Sequence, residues 1–197
     1  MTRIAQKLIT AEEFAQMPAP PDGSRQELVR GAIETMGRPG FRHGKINFRI
    51  AKILDKHVEP NRLGHVVPET GVVTERGPDT VRGPDVAFWS AEKVPLDQEP
   101  AGYPDAVADL CVEVLSPRQD RKKIFEKVRE YLWAGVRLVW VVDPEDRTVT
   151  VYRSPEEGRL LHEGATLSGE DVLPGFSVSV AEFFAGASGS GTTPTPS

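Results

Sequence analysis

The run Leu110-Cys111-Val112-Glu113-Val114-Leu115 constrains this chain more than any other stretch, because all but one of its residues are apolar. Such a run reads as a strand buried on both faces of its sheet. Glu113 stands inside it. A buried carboxylate must be paired, bound to a metal ion or protonated, since an unpaired interior charge is very costly. A second run, Val136-Arg137-Leu138-Val139-Trp140-Val141-Val142, ends at the turn signal Asp143-Pro144 and is followed by Thr148 to Tyr152, which can pair back on it as a hairpin. The longest apolar stretch, Leu138 to Val142, is strand-sized and far below the ~18 residues a membrane span needs.

The rest of the chain alternates between two periods. Thr10 and Glu13 form a capping box that opens a short helix, closed by Pro18, Pro20 and Pro21. Glu27 to Met36 reads as a β-hairpin turning at Gly31. From His43 to about Glu59, Ile46, Ile50, Ile53, Leu54 and Val58 recur at spacings of three and four and predict an amphipathic helix. Valine-rich runs at His65 to Thr74, Asp85 to Trp89 and Asp109 to Leu115 predict strands between Gly, Pro and Asp clusters. Arg121 to Trp133 returns to a helical period through Ile124, Val128, Tyr131 and Leu132, with Gly135 at the C-cap. The expected order is β-α-β-β-β-α-β-β, followed by short strands and turns from Leu160 and a final helical turn at Val180 to Phe184.

A length of 197 residues fits one domain, expected over residues 1–184. The tail from Ala185 to Ser197 holds only Ala, Gly, Ser, Thr and Pro and is expected to be disordered. The single cysteine, Cys111, cannot form an internal disulfide, and no N-terminal run has a secretory pattern, so a cytoplasmic location is expected. A net charge of −5 argues against coating nucleic acid with the whole surface, but leaves room for local basic patches such as Arg118, Arg121, Lys122, Lys123, Lys127 and Arg129.

Asp85 opens one predicted strand and Glu113 lies in another, so the two acids can converge on one hard cation through oxygen ligands. The bland alternative for Glu113 is a salt bridge to a lysine or arginine. Lys127 falls near the edge of the apolar arc of its helix and is the cation best placed to lean toward Glu113; the competing reading is a lysine whose stem packs on the core while its amine reaches water. Two carboxylates that fix a metal and a lysine that offsets developing charge are what a metal-dependent phosphodiesterase requires. Pro78-Asp79 and Pro104-Asp105 lead into no apolar strand and read as turns.

Taken together, Glu27-Leu28-Val29-Arg30-Gly31, the His43-Gly44 helix start, Arg82-Gly83-Pro84-Asp85-Val86-Ala87-Phe88, Asp109 to Pro117, Lys127 with Tyr131, and Ala134 to Pro144 resemble the Uma-two family of restriction-endonuclease-like proteins, within the PD-(D/E)xK nuclease superfamily. The resemblance runs from Thr10 to Phe184. It implies an α/β (α+β) fold with a central mixed β-sheet flanked by helices, and an endonuclease that hydrolyses DNA with Mg2+ or Mn2+. It implies metal ligands at Asp85 and Glu113, with the backbone carbonyl of Val114 as a further ligand, and a homodimer. The sequence departs from the superfamily pattern two residues after Glu113, where Leu115 replaces the usual lysine; Lys127 on the following helix matches the family's substitute. Glu27 as an additional acid, His43 near the phosphate and Tyr131 as an anchor for the lysine complete the candidate set. A non-catalytic nucleic-acid-binding or assembly module that keeps the nuclease fold is the alternative.

Overall fold

The structure, a computed structural model, describes residues 8–117 and 120–185. The expectation of a disordered tail falls, beyond Ala185, outside those residues, as does Arg118. Valine-rich runs and one helical crossover build a six-stranded sheet. It contains β3 (Gly64–Pro68), β6 (Val86–Ser90), β7 (Leu110–Val114), β8 (Leu138–Asp143), β9 (Thr148–Tyr152) and β10 (Gly158–His162), in the order β10-β9-β8-β7-β6-β3. Every neighbouring pair is antiparallel except β7 and β8, which run parallel because α3 (Arg121–Ala134) carries the chain back between them.

Side-chain alternation on these strands separates two cores. Leu110, Val112 and Val114 pack with Ile46, Ile50, Leu54 and Val58 of α2 (Phe41–Val58) on one face. Cys111 on the other face packs with Ile124, Val128 and Tyr131 of α3. Glu113, in step with Cys111, therefore points into the α3 layer. Gly135 ends α3 in the left-handed conformation at φ 103°, the C-cap geometry expected of it.

A second, four-stranded sheet has the order β2-β1-β5-β4, with β1 (Arg25–Val29), β2 (Ala32–Met36), β4 (Val72–Glu75) and β5 (Thr80–Arg82). Arg30 and Gly31, both at positive φ, make the two-residue turn of the β1/β2 hairpin. The capping box closes as predicted on α1 (Ala11–Ala15), with Thr10 Oγ1 accepting from the Glu13 amide at 3.2 Å. Pro78-Asp79 is a turn whose carboxylate accepts from the Ala11 amide at 2.8 Å. Two short strands, β11 (Thr166–Ser168) and β12 (Ser177–Ser179), pair with each other before α4 (Val180–Phe184).

The expected single strand from His65 to Thr74 is two strands in two different sheets, β3 and β4. Pro68 lacks a donor, and Glu69 at φ 54° turns the chain out of the large sheet while its amide bonds to the Asp85 carbonyl at 3.1 Å. β5, only three residues long, has no alternation from which a strand could be read. Among the described residues no helix is long and apolar enough to cross a membrane.

Candidate active site

The candidate residues meet where the first strand of the small sheet covers one end of the large one. Arg25 and Glu27 alternate onto the same face of β1 and reach down to different acids. Arg25 Nη1 donates to Asp85 Oδ1 at 2.7 Å, and its other nitrogen pairs with Glu69. Glu27 Oε1 lies 2.6 Å from Lys127 Nζ, which is 3.1 and 3.3 Å from the two oxygens of Glu113. Asp85 and Glu113 thus lie beneath one strand face.

Asp85 precedes β6 by one residue instead of opening it. Its amide donates to the Val112 carbonyl at 2.9 Å and its Oδ2 accepts from the Val114 amide at 2.7 Å, so its backbone and side chain bracket Glu113 from both sides. His43 in the first turn of α2 places Nε2 3.2 Å from the same oxygen. Tyr131, one turn beyond Lys127 on α3, donates its hydroxyl to Glu113 Oε1 at 2.7 Å. It anchors the acid and not the lysine, contrary to the sequence expectation. Glu27 Oε1 accepts from the Gly83 amide at 3.0 Å and its Oε2 from Arg82 at 2.9 Å, while Arg82 also donates to Glu130 of α3 at 2.9 Å.

Burial and charge divide the acids. Burial pushes Asp85 up, but His43, Arg25 and the Val114 amide outweigh it and hold the carboxyl below its usual range. Glu27 is likewise held low against its burial, by Lys127, the Gly83 amide and Arg82. Glu113 is pushed up to about 7 by burial, aided by Asp85 and Glu27, and Lys127 and Tyr131 recover only part of this. Lys127, although buried, is held well above its usual value by the two acids and stays protonated. A single ammonium cannot neutralise two buried carboxylates, and Glu27, with Arg82 and an amide in addition, takes the larger share.

In this cluster the carboxylates Glu27, Glu69, Asp85, Glu113 and Glu130 outnumber the permanent cations Arg25, Arg82 and Lys127, with His43 also beside Asp85. Among the described residues no three His, Cys, Asp or Glu side chains form a ready metal cage. Asp85 and Glu113 nonetheless suit a hard divalent ion, because Mg2+ is commonly held by one or two carboxylates and keeps several waters. Two buried polar atoms one helical turn apart on α2, His43 Nδ1 and Asn47 Oδ1, have no hydrogen-bond partner among the described residues.

Arg25, Glu130 and Asn47 were not singled out from the sequence, and Arg82 entered only as part of the family motif, with no role of its own. Arg25 carries a signal, its spacing of two from Glu27, and Arg82 stands three residues before Asp85. Nothing local marks Glu130 or Asn47. An open cavity of about 520 Å³ on the α3 side of β8 and β9, walled by Leu115, Ile124, Asp143 and Thr150, has neither acid in its lining.

The profile of a family described as "Uma2: Putative restriction endonuclease" matches residues 11–181. Among solved structures the fold is similar to the crystal structure of "a putative nuclease belonging to DUF820 from Anabaena variabilis ATCC 29413", with 24% identity, a TM-score of 0.73, and coverage of 89% of this chain and 97% of that one. No curated protein matches.

Proposed function

Because the chain belongs to the Uma2 family of restriction-endonuclease-like proteins, we propose that it is a metal-dependent endonuclease that hydrolyses phosphodiester bonds of DNA. The observation that carries this reading is the placement of Asp85 and Glu113 under one face of β1, beside a buried and protonated Lys127, in a cluster where carboxylates outnumber permanent cations. Asp85, Glu113 and the Val114 carbonyl would hold Mg2+ or Mn2+. That ion would supply Lewis-acid polarisation of the phosphodiester and acidify water at the site.

The chain's own groups have separable roles. Asp85 stays ionised through Arg25, His43 and the Val114 amide, and offers a fixed anionic oxygen. Glu113, poised near neutrality, takes up either a proton or a cation. Lys127 keeps its charge and sets it against the negative charge that develops on the phosphate. Glu27 and Tyr131 hold the lysine and Glu113 in place.

A second reading, a non-catalytic nucleic-acid-binding or assembly module, is favoured by one observation: Asp85, Glu113 and Glu27 each already have a cationic partner. Incubating the purified protein with plasmid, linear and single-stranded DNA in Mg2+, Mn2+ or EDTA, beside Asp85→Ala and Glu113→Gln, separates the two. Metal-dependent cutting that disappears in both variants supports the nuclease. No cutting by the wild type in any metal, with no metal uptake by calorimetry, supports the module.

A further inference from the structure

We infer that the outer face of α2 is a binding strip for single-stranded nucleic acid, leading to the site at its N-terminal end; the inference rests on the nuclease reading for the class of partner. Directly opposite the buried stripe of Ile46, Ile50 and Leu54, α2 presents Phe41, Lys45, Phe48, Lys52 and Lys56, spaced by three and four residues. Phe41 is 89% exposed and Phe48 70%. Arg42 and Arg49 flank this row, and the helix contains five Lys or Arg residues against one acid, Asp55, in a chain whose net charge is −5.

Several arginines elsewhere on the surface are neutralised by acids. Arg76, Arg137, Arg147 and Arg153 are all paired with acids. Arg49, Lys52 and Lys56 have no ion-pair partner among the described residues. The row spans about 22 Å at the helical rise. At the N-terminal end of the row Gly40 supplies no side-chain cap and the first turn holds no acid, while His43, on the buried side of the same turn, touches Asp85, so the strip and the site share one end of α2.

Aromatic rings interleaved with cations are the surface on which unpaired bases stack while lysines follow the phosphates. A phenyl ring has no donor or acceptor with which to read a paired base edge. A second copy of the chain fits poorly, because a two-fold contact along this face would set the unpaired cations of one copy against those of the other.

Fluorescence anisotropy with labelled dT20 and a 20-base-pair duplex, in EDTA so that no cleavage intervenes, tests the inference independently of catalysis. The wild type is expected to bind dT20 more tightly than the duplex. The double variant Phe41→Ala/Phe48→Ala should weaken dT20 binding about tenfold or more per ring while leaving its salt dependence unchanged. Lys52→Glu/Lys56→Glu should weaken binding and flatten the log–log salt slope by about 0.7 for each phosphate no longer neutralised. All four positions face away from the core, so far-UV circular dichroism should not change. Equal or tighter binding of the duplex, or dT20 affinity unaffected by removal of both rings, overturns the inference. So does a dimer in sedimentation that the phenylalanine variant dissolves. A protein that binds dT20 as expected but cuts nothing keeps the strip and loses the nuclease.

Discussion

Lys127 serves two buried carboxylates with one charge, and the imbalance makes Glu113 the residue whose protonation is most open to experiment. Its carboxyl titrates at about 7 in the folded chain and near its ordinary value of 4.5 when unfolded, so between those values the folded state holds the extra proton. Its contribution to stability is therefore complete below about pH 4.5 and is lost as the pH rises to about 7, a decline of at most about 3 kcal/mol. Asp85 and Glu27, held low, act in the opposite sense, and their contribution is lost only as the pH falls through the acid range. Urea unfolding between pH 4.5 and 8 should show the decline in the wild type and not in Glu113→Gln; the same slope in both would remove Glu113 as its source. Tyr131→Phe deletes a buried hydrogen bond to the charged form of Glu113. It should cost about 2 kcal/mol at pH 8, less at pH 5, and move the midpoint of the decline upward.

Arg82 shows how a three-residue strand matters to a helix in another layer. From β5 it joins Glu27 on β1 to Glu130 on α3, and so ties the small sheet to the helix that carries Lys127. Arg82→Met would leave the buried Glu27 sharing Lys127 with Glu113. The expected loss is about 3 kcal/mol, read as a lower urea midpoint at unchanged m-value. Arg82→Lys should recover only part of it, because an ammonium cannot span both acids as the planar fork does; full recovery would show that charge alone suffices. Elements with a strong local signal were legible: the 3.6 period of α2, the capping box of α1 and the glycine cap of α3 each depend on neighbours within one or two turns. β5 and the division of His65 to Thr74 between two sheets were not. Their register is fixed by partners such as Leu28 opposite Val81, far away in sequence. Lys127 could be aimed at Glu113 from the helical period, whereas Arg82 reaches its partners only through the meeting of two sheets.

At the scale of the molecule, the cluster exists because β1, β5, β7, α2, α3 and the residue before β6 each deliver a charged or polar group to one end of the large sheet. The chain between Glu27 and Lys127 passes through the rest of the small sheet and three strands of the large one to bring those two within 2.6 Å. Such a junction gathers more carboxylates than permanent cations. A proton on Glu113 removes one negative charge, and the proposed divalent ion would take its place, so on that reading proton and metal compete. Mg2+ should therefore raise the melting temperature of the wild type more at pH 8 than at pH 6, as Glu113 gives up its proton. At a free concentration of about 100 times Kd the gain corresponds to about 3 kcal/mol. Asp85→Asn, which removes one of the two proposed carboxylate ligands, should show little or no shift at either pH. A wild type that ignores Mg2+ and Mn2+ at pH 8 would mean that the cluster takes up no divalent ion, and would favour the binding module over the nuclease.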